Sequence, residues 1–191
     1  FILNHRHDFR REIIVRVNHP STPYFKDDIL QIVEAAPECI LLPKIDSPEE
    51  VEESEDELEK AEQRWEVKAK TGLMLMIETV EGILNAVRIA KASKRVSALI
   101  FGAADFSREA RIKLTEDRSE LIYAMSHLVL AARSAKADAL DAPHTKIYDK
   151  EGNIKAARLA RSLGFDGKTC VHPGQIEDIN EIFTPSAEEI E

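Results

Sequence analysis

Two carboxylates stand out because each closes an apolar run. Met74-Leu75-Met76-Ile77 leads into Glu78, and Leu99 to Ala104 leads into Asp105. A carboxylate in such surroundings is costly unless a cation or hydrogen bonds satisfy it. If the two runs are neighbouring strands of a parallel sheet, the acids come close enough to share a hard divalent ion. Mg²⁺ commonly takes one or two protein carboxylates and leaves its other positions to water and substrate oxygens. The competing role is helix capping by Thr79 and Asp105, and spacing alone does not choose between the two. Arg16 lies in the middle of the apolar stretch IIVRVN, where its planar fork suits either a substrate carboxylate or a structural ion pair. Lys44, after Leu41-Leu42-Pro43, has the same choice, with pairing to Glu78 ranked slightly ahead. His144 and His172 are isolated and read as hydrogen-bonded structural residues. Gly167-Lys168-Thr169 looks like the end of a phosphate-binding loop, but the required glycine five positions earlier is Ser162, so that motif is rejected.

The elements that must position these residues alternate along the chain. Strand-like apolar runs cover Ile13–Asn18, Cys39–Ile45, Gly72–Thr79, Ala98–Asp105, Ala137–Pro143 and Phe165–Pro173. Between them, Asp27–Ala36 has a helical face with Asp27 as N-cap, and Val80–Lys94 places Val80, Ile83, Leu84 and Val87 on one stripe. Leu121, Met125, Leu128 and Ala132 form another stripe, and Ile154–Leu163 a further helix. Continuous apolar strands separated by helices predict a parallel sheet built from βα units. Arg16, Lys44, Glu78, Asp105, Asp141 and His172 then gather at the C-terminal ends of the strands, where barrel enzymes place their chemistry. Six units fit either an open doubly wound sheet or a barrel whose first two units lie outside this chain. Ser47–Lys70 interrupts the rhythm with nine carboxylates between Glu49 and Glu62. It reads as a solvated helix capped by Ser47-Pro48, with Lys60 as its counter-charge.

The 191 residues carry a formal charge of −9, and 43% are hydrophobic. That balance predicts a folded domain, and the acidic excess argues against nucleic acid or an acidic membrane face as partner. No apolar stretch approaches the ~20 residues of a membrane span, and no leader pattern is visible. Cys39 and Cys170 are too few and too far apart for a disulfide framework, and both read as small buried hydrophobes in a reducing, cytoplasmic compartment. The chain opens on Phe1 rather than Met, which hints at a longer whole.

Taken in order, VRVN (15–18), LPKI (42–45), MIETVEGILNA (76–86), IFGAADFS (100–107), LDAP (140–143) and LGFDGKTCVHPGQIEDINEIFTPS (163–186) resemble the citrate lyase beta-subunit-like family. That group also holds the malyl-CoA and citramalyl-CoA lyases, within the HpcH/HpaI aldolase superfamily. The resemblance covers the chain apart from the acidic insert, 49–70. It implies an α/β fold, a TIM (β/α)₈ barrel of the phosphoenolpyruvate/pyruvate type, of which residues 1–191 supply strands three to eight as one domain without the C-terminal lid. By the same resemblance, Glu78 and Asp105 match the family's Mg²⁺ ligands, and Arg16 its arginine for the substrate carboxylate. The small residues Gly102, Ala103 and Ala104 would let the backbone approach a 2-oxo acid. The implied reaction is cleavage of a 3-hydroxy-acyl thioester of the citryl, citramalyl or malyl type. Its products are a 2-oxo acid such as oxaloacetate and an acetyl-type thioester, carried on CoA or an acyl carrier. A homo-trimer or a place in a larger lyase complex is implied as well. An aldolase acting on free 2-oxo-acid aldols and a non-catalytic barrel paralogue are the alternatives.

Overall fold

The computed structural model describes residues 2–190. Six strands form a single sheet: β1 (Ile14–Arg16), β2 (Cys39–Leu42), β3 (Gly72–Ile77), β4 (Val96–Phe101), β5 (Asp138–Asp141) and β6 (Gly167–Lys168). They lie in sequence order, and every neighbouring pair is parallel. The helices are α1 (Ile2–His5), α2 (Phe25–Val33), α3 (Pro48–Arg64), α4 (Val80–Ala90), α5 (Ala103–Glu109), α6 (Ile122–Ala135), α7 (Lys150–Ser162), α8 (Ile176–Phe183) and α9 (Ala187–Ile190). Among the described residues, none is long and apolar enough to cross a membrane.

Period-2 alternation sorts the strand residues into two faces. Ile40, Leu42, Leu73, Leu75, Ile77, Leu99, Phe101 and Ala139 point to the helices and build the main core with Phe25, Ile29, Ile83, Ile89, Met125 and Leu128. Cys39, Met74, Ala98 and Ile100 make a second, smaller cluster, flanked by half-buried Leu41, Met76 and Leu140. One sheet therefore has a fully covered face and a more open apolar face. The C-terminal ends of the strands bring their following loops to one rim.

Several local expectations need correction. The run ending in Asp105 is not all strand: β4 stops at Phe101, and the chain turns at Gly102 into α5, so Asp105 sits in a helical first turn. Arg16 ends β1 rather than lying mid-strand, and it is exposed. Asp27 does not cap α2; Tyr24 occupies that position without a side-chain bond, and Asp27 lies within the first turn. Cys39 is buried, but Cys170 is exposed. Asp141 does not join the open rim, because it faces the helices and is completely buried.

The acidic helix α3 starts as its sequence dictates. Ser47 accepts from the Glu50 N–H while Glu50 reaches back to the Ser47 N–H, a capping box with Pro48 at the first helical position. Its counter-charge, however, is not Lys60 alone. Arg95, at the start of β4, is buried and donates to Glu62 Oε1 and Oε2 at 2.6 and 2.9 Å, to Glu55 at 3.2 Å and to Glu59 at 3.4 Å. Val51, Leu58 and Ala61 bury the helix's apolar stripe.

Candidate active site

The site grows from the ends of β3 and β4. Glu78 continues the alternation of Met74 and Met76 one step past the last residue of β3, which puts its side chain on the open face at the rim. It is only 6% exposed. Next to it, the Gly102 N–H donates to the Ile77 carbonyl at 2.9 Å, extending the β3–β4 pairing. A Cβ at Gly102 would stand 2.1 Å from Glu78 Cβ and 2.8 Å from Glu78 Oε2. Only glycine fits there, and its missing side chain is the space that Glu78 occupies. The chain then enters α5, whose first turn delivers Asp105.

Glu78 and Asp105 are brought together. Burial pushes the Glu78 carboxyl above its ordinary value, and the neighbouring Asp105 carboxyl adds to the rise; the Lys44 N–H and ammonium oppose it. Asp105 is partly exposed and accepts a 2.9 Å bond from Arg108 one turn along α5. A buried carboxylate facing a second carboxylate is unfavourable by itself. The pair becomes favourable when a cation neutralises both, and two carboxylates on an accessible rim are donors suited to a hard divalent ion. Among the described residues no group of three or more His, Cys, Asp and Glu side chains is arranged for a metal, so the remaining positions around such an ion would fall to water and ligand oxygens.

Lys44 holds Glu78 from the other side, through its main chain. Its N–H donates to Glu78 Oε1 at 3.1 Å. Its backbone lies in the left-handed region, with φ of 53°, a conformation costing roughly 1 kcal/mol or more for a residue with a Cβ. Among the described residues its ammonium has no ion-pair partner, so side-chain pairing to Glu78 is replaced by a main-chain bond. The loops after β2 and β3 are joined further on. The Ile45 N–H donates to the Met76 carbonyl at 3.2 Å, the Thr79 hydroxyl donates to Asp46, and the Asn85 amide donates to the Asp46 carbonyl at 2.9 Å. Thr79 also caps α4 by accepting from the Gly82 N–H at 3.0 Å. Capping thus explains Thr79, whereas Asp105 caps nothing: Gly102 precedes α5 and makes no side-chain cap.

Arg16 stands two strands away, at the end of β1 beside Leu41. It touches neither carboxylate, and among the described residues its guanidinium has no ion-pair partner. The two histidines have local roles: His172 accepts from the Gly174 N–H, and His144 pairs with Asp149 at 3.0 Å.

One charged cluster escaped the sequence reading. Arg118 donates to both oxygens of Asp141 at 2.7 Å, and Lys168 reaches the same carboxylate at 2.7 Å as well as the Ala142 carbonyl. Burial alone would raise the Asp141 carboxyl; the Arg118 hydrogen bonds and the charge of Lys168 outweigh it and hold it below the usual range. The signal was a lone acid ending one apolar strand and a lone lysine in the next. Pairing them with Arg118 required the fold.

Comparison with known proteins places these residues in a family context. The model of the HpcH/HpaI aldolase/citrate lyase family matches residues 3–173. The citrate lyase subunit beta of Leuconostoc mesenteroides subsp. cremoris is 36% identical over 180 residues, covering 94% of this chain and 60% of that protein. A (3S)-malyl-CoA thioesterase of Cereibacter sphaeroides is 34% identical, covering 96% and 61%. The citrate lyase beta subunit of M. tuberculosis, solved with oxaloacetate and magnesium, superposes with a TM-score of 0.72 at 28% identity, over 90% of this chain and 73% of that one. The chain spans about 60% of the length of the curated relatives it matches.

Proposed function

Because the chain belongs to the HpcH/HpaI aldolase/citrate lyase family, we propose that it acts as a Mg²⁺-dependent carbon–carbon lyase on a 3-hydroxy-acyl thioester of the citryl, citramalyl or malyl type. The observation that carries this reading is the pair Glu78 and Asp105, one buried and one accessible, set against the gap at Gly102. The magnesium and oxaloacetate of the M. tuberculosis relative support it. The six sequentially ordered parallel strands support reading the sheet as part of a (β/α)₈ barrel, with its chemistry at the C-terminal rim. We read residues 1–191 as belonging to one such domain, and the whole protein as working with a CoA or acyl-carrier thioester.

In this mechanism Glu78 and Asp105 would hold the divalent ion. Lys44 fixes the rotamer of Glu78 through its N–H. Magnesium, when bound, supplies Lewis acidity toward the oxygen that becomes the ketone. Arg16 presents its unpaired fork to the carboxylate of the 2-oxo acid. Gly102, Ala103 and Ala104 keep the approach to the rim free of side chains. The bond that breaks joins the hydroxyl-bearing carbon to the carbon beside the thioester. The hydroxyl loses its proton as it becomes the ketone, the electron pair leaves as the thioester enolate, and the enolate carbon takes up one proton. Its products are a 2-oxo acid and an acetyl-type thioester.

The test is a cleavage assay with citryl-, citramalyl- and malyl-CoA, with and without Mg²⁺, on wild type and Glu78→Ala. The expected outcome is turnover of one thioester that needs Mg²⁺ and falls about a thousandfold or more in the variant. Turnover of free 2-oxo-acid aldols without any thioester would replace the lyase reading with the aldolase one. Turnover that ignores Glu78 would remove the site from the chemistry.

A further inference from the structure

Lys44 is an unusual residue for its place in the rim. The backbone there is left-handed, and what Glu78 receives from it is a main-chain N–H. A glycine would give the same N–H in the same conformation without strain. The position therefore carries the cost of a side chain that the local structure does not need. That side chain ends in an exposed ammonium which, among the described residues, has no ion-pair partner. The loop bearing it leaves β2 at Leu42 and is fixed just beyond Lys44, by the bond from Ile45 to Met76 and by that from Thr79 to Asp46. The Lys44 ammonium thus makes no short-range ion pair and acts on Glu78 only through its field, a role that a divalent ion between Glu78 and Asp105 would take over.

Arg16 is a second such cation, on the neighbouring strand. Charge matching at the rim then constrains the ligand. The negative charges of Glu78 and Asp105 are balanced by one divalent ion, and Arg108, which pairs with Asp105, is 80% exposed and solvated. The Asp46 carboxylate of the same loop is engaged by the Thr79 hydroxyl, which leaves Arg16 and Lys44 as the two cations that a ligand can pair with. A 2-oxo acid with a single carboxylate uses one of them. We propose that Lys44 is a specificity-determining residue that binds a second, distal carboxylate, so that the site selects dianionic 2-oxo acids over monoanionic ones.

This inference rests on the Mg²⁺-dependent reading of the site, and a binding experiment separates the two. Pyruvate and oxaloacetate are titrated calorimetrically, at saturating Mg²⁺, into the full chain as wild type, Lys44→Met, Lys44→Arg and Lys44→Gly. Wild type is expected to bind oxaloacetate more tightly than pyruvate. Lys44→Met and Lys44→Gly should each lose roughly ten- to a hundredfold in oxaloacetate affinity, keep their pyruvate affinity, and so lose the preference; Lys44→Arg should retain it. Lys44→Gly keeps the N–H to Glu78 and relaxes the backbone, so a loss there comes from the ammonium and not from a damaged loop. Equal losses for both ligands, or an unchanged preference in Lys44→Met and Lys44→Gly, would overturn the role of Lys44 while leaving the metal site standing. If wild type binds neither acid with Mg²⁺, the reading of the site fails and this inference falls with it.

Discussion

At the scale of single residues, Glu78 shows how a position proposed to bind a metal ion opposes the stability of the fold around it. Burial and the nearby Asp105 carboxyl raise its ionisation above the ordinary range. Below about pH 4 Glu78 is protonated in both folded and unfolded chains, and it costs nothing. As the pH rises, the unfolded chain ionises first, so the folded state loses ground until its own raised pKa is passed; above that the loss is constant. Glu78→Gln keeps the shape and an oxygen for the Lys44 N–H but carries no charge. The expected result in metal-free buffer is a higher melting temperature at neutral pH, by about 2–4 °C for each kcal/mol relieved, and no gain below about pH 4. Added Mg²⁺ should then raise the melting temperature of wild type but not of the variant. Thermal melts at the two pH values check the sign. Glu78 and Asp105 were legible in the sequence because each closed an apolar run. Their approach followed from reading the two runs as neighbouring strands; the route was not legible, since Asp105 arrives from the first turn of α5, directly after the Gly102 that leaves room for the Glu78 side chain.

At the scale of elements, the acidic helix α3 has one buried cation among the described outside residues that pair with it; Lys26, Lys70 and Arg88 meet it at the exposed surface. Arg95 is 8% exposed overall and bonds three of the helix's glutamates, with Thr71 O at 3.1 Å as a further acceptor. Its removal strands Glu62, which itself is buried and also accepts from the Thr71 N–H at 2.8 Å. Arg95→Ala should therefore destabilise the protein by about 3 kcal/mol or more, far above a surface ion pair. Urea unfolding would measure it, and a loss below about 1 kcal/mol would mean that solvent already satisfies the glutamates. The start of α3 was readable from Ser47 and Pro48, because capping is chemistry within a few residues of the chain, whereas its end was not, since the helix stops at Arg64 and does not run on to Lys70. Its counter-charge was not, because Arg95 lies 33 residues from Glu62 and meets it only when β4 pairs with β3. The same holds for Arg118, Asp141 and Lys168, where the apolar run placed Asp141 at a strand end but neither its buried, helix-facing side nor the partners that meet it there. The alternation of strand and helix itself was legible throughout, since six apolar runs separated by amphipathic segments have few other ways to bury their surfaces.

At the scale of the whole molecule, the order of the sheet has a consequence in time. Every strand pairs only with its neighbours in sequence, so no pairing waits for a distant part of the chain to arrive. Within residues 1–191 taken by themselves, β1 and β6 pair on one side only, so this segment opens from them inward. β3 and β4 have six residues each, while β1 has three and β6 two. Amide protons in β3 and β4 should therefore exchange with deuterium most slowly and those of β1 and β6 soonest, a gradient that native-state exchange would trace residue by residue. Uniform protection across all six strands would show that the sheet opens only as a unit. The gradient would leave Arg16 on the part of the sheet that frays first, while Glu78 and Asp105 hang from its most durable pair. The carboxylates would then hold their geometry through openings that repeatedly release and recapture the arginine, and a strand pairing with β1 from outside residues 1–191 would be what holds the bound acid in place.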